Sequence, residues 1–279
     1  AGVPGWPGPL AITLGSAVLL AAMLSIVRLQ PLLHAWVMAL GSLAWLCGNL
    51  LWLAGRSIPE VVLWWAGFLV LTIVGERLEL SRLLRLSRAR VGAFLAAVAL
   101  LLGGLALTVF SYSAGVRVAS LGMAALAAWL LAFDMARRTV RKSGLTRYIA
   151  VALLAGYFWL AVAGLLGLRF GGETAGLHYD AFLHSIFVGF VFSMILAHAP
   201  IILPAVTGLP LAFHGGFYAP LALLQVSLML RVAGDLLANF PLRRWGGLLN
   251  EVAILLFLAM LLLAVRSGWK ASQATIKAM

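Results

Sequence analysis

The sequence predicts an all-α protein, a polytopic bundle of transmembrane helices. Hydrophobic residues make up 64% of the 279 positions and charged residues only 10%, with a mean hydropathy of +1.08. Because a soluble domain is about 25% charged, a water-soluble globular fold is excluded. Apolar runs of about 20 residues, the length that crosses a bilayer core, recur along the chain. No long linker separates them, so residues 1–279 are expected to form a single integral membrane domain.

About nine spans are predicted between the charges and prolines that interrupt the apolar runs. In order they cover residues 9–27, 32–54, 59–75, 91–111, 117–135, 148–168, 181–204, 212–237 and 247–265. The third span is short and runs into the charged stretch GERLELSR, so its inner end is expected to be amphipathic. Two glycine pairs, Gly41 with Gly48 and Gly164 with Gly167, are expected to let helices pack closely.

The chain carries 20 Lys and Arg against 8 Asp and Glu, a formal net charge of +12. Alternating spans place 14 of the positive charges on one side of the membrane and 6 on the other. Since short cytoplasmic loops collect Lys and Arg, the sequence predicts an N-out, C-in topology in the cell (inner) membrane. The basic clusters at 77–90 and 137–147 are then inner loops that attract anionic headgroups. The expected partner is therefore the lipid bilayer, and nucleic acid is not expected.

Several common kinds of site are absent from the sequence. Cys47 is the only cysteine and lies inside an apolar run, which excludes a disulfide framework. The chain has no phosphate-binding glycine loop before a lysine, no CxxC motif and no nucleophile elbow. The remaining candidates are ionisable groups at membrane depth, which are costly there and therefore often functional.

Two histidines of the seventh span have a spacing that suits stacked haems. His184 and His198 are 14 positions apart, which in an α-helix places them on nearly the same face and about 21 Å apart. One imidazole would then lie in the outer leaflet and the other in the inner leaflet, as in membrane proteins that hold two haems. Gly189 is expected to leave room for the macrocycle. Flat apolar packing would come from Phe182, Phe187, Phe190 and Phe192.

The inner leaflet is predicted to hold three imidazoles at one depth, from His198, His214 and His34. Two of them could ligate haem iron, with the third left over, or the three could form a copper site, because imidazole binds both iron and copper. A structural alternative stays open. His198 could instead bond the backbone carbonyls freed by the prolines that follow it, and His214 could bond the backbone around its neighbouring glycines.

The outer leaflet offers fewer partners for His184. The candidates are His178 and Met229, since methionine ligates haem iron opposite histidine; packing in the core is the alternative for Met229. Arg231 lies one turn from Asp235 and can pair with it, as intramembrane charges usually must. The alternative role for Arg231 is to bind a haem propionate.

The run LHSIFVGFVFSMILAHAPIILPAVTG resembles a segment of the NnrS family, haem-containing membrane proteins linked to nitric-oxide metabolism. The matching positions are His184, Phe187, Gly189, Phe190, Pro204, Thr207 and Gly208. AGYFWLAVAGLLGL and LMLRVAGDL also resemble stretches of NnrS, so the resemblance covers roughly residues 148–279. The run is similar, more distantly, to the second helix of haem–copper oxidase catalytic subunits, whose histidine ligates the low-spin haem. The resemblance implies haem in a polytopic bundle, with His184 as the ligand.

The chain also departs from these patterns. Ser185 and Ile186 replace the HEM-type continuation after the histidine, and the paired and HxH histidines of a haem–copper binuclear centre are absent. The resemblance therefore does not extend to a complete oxygen- or nitric-oxide-reducing site.

The first hypothesis is a b-type haem protein for electron transfer or for handling nitric oxide or another diatomic gas. One or two haem b groups would be held by His184 and at least one of His198, His214 and His34, with Arg231 at the propionates. Two alternatives remain. One is a copper or small-ion transporter or chaperone that uses the inner histidines with Cys47, Met38 and Met194. The other is a structural subunit of a respiratory complex, with further membrane subunits or a second copy as partners.

Overall fold

The computed structural model describes residues 6–81, 84 and 86–277, with side chains up to residue 269. Within those residues all regular secondary structure is helical, and nine stretches are long and apolar enough to cross a membrane. The predicted all-α polytopic bundle is confirmed. The N-out, C-in topology stays a prediction.

The helices follow the predicted order, and most ends lie within a few residues of the predicted ones. They are α1 (Pro7–Leu29), α2 (Leu33–Leu53), α3 (Ile58–Ser81), α4 (Arg88–Thr108), α5 (Tyr112–Phe133), α6 (Ala136–Thr139), α7 (Gly144–Phe170), α8 (Leu177–His184), α9 (Phe192–Thr207), α10 (Tyr218–Leu236) and α11 (Phe240–Lys277). A π-helical segment, Ser185–Val191, joins α8 to α9, so the three together make the seventh span. A 3₁₀ turn, Gly215–Phe217, leads into α10.

The ends of the third and ninth spans were predicted wrongly. The third span was expected to finish near residue 75, but α3 continues to Ser81 and buries Arg77 on the way. The ninth was expected to cover residues 247–265, but α11 runs from Phe240 to Lys277. These errors have the same cause, because charged residues were taken as the ends of apolar runs, whereas Arg77, Arg243 and Arg266 all lie inside helices.

The chain divides into two compact units. The first comprises Ala1–Met135 and Ala161–Phe182, and the second comprises Ala136–Leu160 and Leu183–Met279. Each unit is therefore described by itself. His34 and His178 belong to the first unit, whereas His184, His198 and His214 belong to the second.

Glycines bring the helices of the first unit into close contact. A Cβ at Gly48 would overlap Trp64, and one at Gly164 would overlap Ala124, so close packing at the predicted glycine pairs is confirmed. A close approach of two backbones joins α4 to α5, where a Cβ at Gly104 would overlap the backbone of Ala119. A Cβ added at the preceding residue, Gly103, would contact nothing within 4 Å.

This pair of neighbours predicts opposite effects for the same substitution. Gly104→Ala is expected to destabilise the protein by about 1–3 kcal/mol, because only helix separation relieves an overlap with backbone. Gly103→Ala is expected to stabilise it by up to about 1 kcal/mol, through the greater helix propensity of alanine. Unfolding free energies in mixed detergent micelles compare the two. Equal effects would contradict the close α4–α5 contact.

A polar chain links three helices of the second unit. The indole Nε1 of Trp159 in α7 donates to Oε1 of Gln225 in α10 at 2.7 Å. The amide Nε2 of Gln225 donates in turn to Oγ of Ser193 in α9 at 3.2 Å. Ser193 is fully buried, so these bonds satisfy polar groups that have no access to water. They hold α9, and with it His198, in a defined position relative to α7 and α10.

Candidate functional site

The seventh span is not one continuous α-helix. His184 is the last residue of α8, and the π-helical segment follows it directly. A π turn contains roughly one extra residue, so it rotates the following helix by about 100° relative to a continuous α-helix. His198 then lies about 140° around the helix from His184, instead of about 40°. The predicted shared face is therefore wrong, although π segments are frequent at functional sites.

The space beside Gly189 is also different from the prediction. A Cβ at this position would overlap the side chain of Trp159, whose indole fills the place expected for a macrocycle. The expectation that Gly189 leaves room for haem was therefore wrong. Its small size instead lets α7 pack against the π-helical segment of the seventh span.

The Nδ1 contact of His198 resembles the bond by which metal-binding histidines are oriented. Its Nδ1 lies 2.7 Å from the carbonyl oxygen of Met194, so Nδ1 carries the proton and donates it to this acceptor. The lone pair of the ring is then on Nε2. Metal-binding histidines usually donate their other ring N–H to a carbonyl or carboxylate in this way. The acceptor is a backbone carbonyl, as the structural alternative for His198 expects, but it belongs to Met194 and not to Leu196, whose carbonyl Pro200 leaves without its helical donor.

His214 forms local contacts before α10. Its side chain is exposed, and Nδ1 accepts a hydrogen bond from the backbone N–H of Gly216 at 3.2 Å. The imidazole also lies against Phe217, with ring centroids 5.3 Å apart. This agrees with the predicted bonding around the neighbouring glycines. The Nδ1 lone pair is used by the backbone, which disfavours His214 as a ligand through that atom.

His34 lies against a carboxylate in the first unit. Its Nε2 is 3.3 Å from Oε2 of Glu79, and the imidazole is 12% exposed while the carboxylate is 51% exposed. The charged stretch GERLELSR, which contains Glu79, gives no indication of a histidine partner. The contact between His34 in α2 and Glu79 in α3 cannot be predicted from the sequence, because both helices are apolar on most faces.

The outer candidates are arranged differently from the prediction. His178 stacks on Phe170, with centroids 3.9 Å apart, and its Nδ1 lies 3.0 Å from Oε1 of Glu173. Met229 is 53% exposed, so its predicted alternative as core filling was wrong. Its side chain instead forms part of the surface of α10, where lipid would surround it.

The Arg231–Asp235 pair is confirmed and is part of a larger arrangement. Nε of Arg231 lies 3.4 Å from Oδ2 of Asp235, and Nε of Arg243 lies 2.7 Å from Oδ1 of the same carboxylate. The Asp235 side chain is fully buried. Two glycines allow this, since a Cβ at Gly234 would overlap the backbone of Arg243, and one at Gly246 the backbone of Arg231. Sequence reasoning missed Arg243, although the small residues near both arginines were a usable signal.

A second buried ion pair lies in the first unit. Nε and Nη2 of Arg77 donate to the two carboxylate oxygens of Asp134 at 3.1 and 3.2 Å. Only 6% of the arginine side chain and none of the aspartate side chain is exposed. The assignment of Arg77 to a basic loop was therefore wrong. Arg82 and Arg85 of the same cluster lie outside the described residues. Asp134 is the only acidic residue between Glu79 and Glu173, which was a signal that it needs a cation.

The described part of the chain contains no group of three or more His, Cys, Asp and Glu side chains placed to hold a metal ion. Cys47 and His34 belong to one unit, and His198 and His214 to the other. A site with two axial ligands, such as haem requires, does not depend on such a group.

Comparison with known proteins gives a family. A family model described as a domain of unknown function, DUF8744, matches residues 1–266. The chain belongs to this family. The match includes the nine spans of the described residues of this DUF8744 protein, except the end of α11 after residue 266. No curated protein and no solved structure matches the chain.

Proposed function

We propose that the chain is an integral membrane b-type haem protein that transfers electrons or handles nitric oxide or another diatomic gas. The observation that carries this proposal is the bond from Nδ1 of His198 to the Met194 carbonyl, a bond of the kind by which metal-binding histidines are oriented. Bound haem would supply reversible electron uptake at iron, or an iron position that takes up a gas. The protein would supply the axial ligand, a largely apolar surrounding and nearby positive charge.

The donor set partly fits haem. His198 fits through Nε2, and the resemblance to NnrS favours His184, which precedes the π segment. The side of the span at Gly189 does not fit, because Trp159 occupies it. A haem held by His198 would therefore lie on another side of α9. The rotation produced by the π segment also favours separate roles for His184 and His198 over one shared stack.

The arginines on α10 and α11 are suited to the propionates of such a haem. Arg231 and Arg243 share one carboxylate, that of Asp235, which leaves a net positive charge at this position. Guanidinium groups bind carboxylates through paired donors. Arg243 joins Arg231 in this proposed role. We further propose the inner (cell) membrane as the location, from the charge bias, with other membrane subunits or a second copy as partners.

Axial-ligand variants test the proposal. In protein expressed with a haem supply, His198→Ala is expected to shift or abolish the Soret and α bands, because the variant removes an iron ligand. His214→Ala is the matched control, since its Nδ1 already accepts from Gly216, and its spectrum is expected to remain unchanged. His184→Ala tests the ligand implied by the resemblance. Unchanged bands in both His198→Ala and His184→Ala would contradict the assignment.

Metal analysis of the same samples distinguishes the copper alternative. The proposal predicts iron bound in porphyrin. Stoichiometric copper without porphyrin would contradict haem binding and favour transport or delivery of copper.

A further inference from the structure

A basic cleft lies at the N-terminal end of α7, in the second unit. α6 and the turn at residues 140–143 connect α5 to α7, and the segment 137–147 carries five Lys and Arg with no acidic residue. An open cleft of about 630 Å³ is present there. Its lining residues are Thr139, Arg141, Lys142, Ser143 and Thr146.

The lining side chains are suited to phosphate. Arg141 and Lys142 supply two positive charges, and Ser143 and Thr146 add hydroxyl donors. No carboxylate lines the cleft, and none of the described carboxylates lies within ion-pair distance of Arg141 or Lys142. Phosphate oxygens accept charge-assisted hydrogen bonds from such donors. The combination of two cations and hydroxyls distinguishes this cleft from a loop that merely carries positive charge.

Hydrogen bonds fix the backbone of the turn that carries these side chains. The N–H of Lys142 donates to the carbonyl of Thr139 at 3.0 Å, and the N–H of Arg141 donates to that of Arg138 at 3.3 Å. Gly144 then has φ +61°, a conformation that favours glycine, and α7 begins there. Only about ten residues separate the ends of α5 and α7, so the cleft is at the depth of lipid headgroups.

We propose that this cleft binds a phosphate group, supplied by the headgroup of an anionic phospholipid. The proposal does not depend on haem binding. Basic residues beside a membrane span attract anionic lipid. The hydroxyls and the bonded turn would convert that general attraction into binding at one place.

Lipid binding to the purified full chain tests this proposal, with native mass spectrometry of short-chain phosphatidylglycerol and phosphatidylcholine. Preferential binding of phosphatidylglycerol is expected. Arg141→Gln/Lys142→Gln is expected to weaken it roughly 30-fold. The control is Arg28→Gln/Arg88→Gln, which removes the same charge from exposed positions on the same predicted side and is expected to weaken binding less than about threefold.

A second variant and a competitor complete the test. Ser143→Ala/Thr146→Val keeps the charge and is expected to weaken binding by roughly fivefold. If inorganic phosphate displaces phosphatidylglycerol, the ligand of the cleft is a free anion. If it does not, the ligand is the lipid headgroup. Equal weakening by the cleft and control double variants, or equal binding of the two lipids, would overturn the proposal.

Discussion

Asp134→Ala is expected to lower the free energy of unfolding by about 3–5 kcal/mol, because it leaves the guanidinium of Arg77 buried without its carboxylate. Both ends of the pair are almost fully buried, and two hydrogen bonds connect them. The electrostatic attraction between the two charges is therefore only weakly screened by water and salt. Unfolding in mixed detergent micelles, followed by tryptophan fluorescence, measures the loss.

Two further variants determine whether the loss comes from the buried charge. Arg77→Met/Asp134→Leu removes both charges and is expected to recover most of the lost stability, as buried pairs replaced by apolar residues often do. Glu60→Ala breaks the exposed pair with Arg56, and a loss of at most about 1 kcal/mol is expected. A double variant as unstable as Asp134→Ala would contradict this explanation, as would a loss for Glu60→Ala that matches it.

Asp235→Asn is expected to destabilise the protein by more than about 3 kcal/mol, because the carboxylate serves two guanidinium groups. Arg231→Gln and Arg243→Gln are expected to cost less, about 1.5–3 kcal/mol each, since each variant leaves Asp235 with one cation. The structure thus predicts an order of effects as well as a magnitude. Thermal unfolding of the three variants in one detergent measures that order.

Glu251→Gln is the matched control for Asp235→Asn. Glu251 is exposed on α11, so its neutralisation is expected to change stability by less than about 1 kcal/mol. An arginine variant less stable than Asp235→Asn would contradict the shared-carboxylate arrangement. A large loss in Glu251→Gln would show that net charge, and not this site, determines the result.

Most of the fold follows from composition and run length. A bilayer requires about 20 apolar residues per helix, and this requirement is visible in one dimension. The errors at span ends occurred where a helix continues through charged residues, because Arg77, Arg243 and Arg266 were treated as the ends of spans. The π-helical segment after His184 was also invisible, since no proline or charge marks it and its residues are as apolar as their neighbours.

The candidate site was harder to predict than the fold. Arg231 and Asp235 are four residues apart, so helical spacing alone predicted their pair. Arg243 lies on the next helix, and His34 and Glu79 lie on different helices, so their contacts depend on how the helices pack. The same holds for Gly189. A small residue indicates that another group packs closely against it, but the sequence does not determine whether that group is a tryptophan or a cofactor.

The most direct test of haem binding is a reduced-minus-oxidised visible absorption spectrum of the purified protein, expressed with an adequate haem supply. The proposal predicts Soret and α bands of a b-type haem, at one or two haems per chain. A protein that folds and purifies without these bands would contradict haem binding, whatever the geometry of His198.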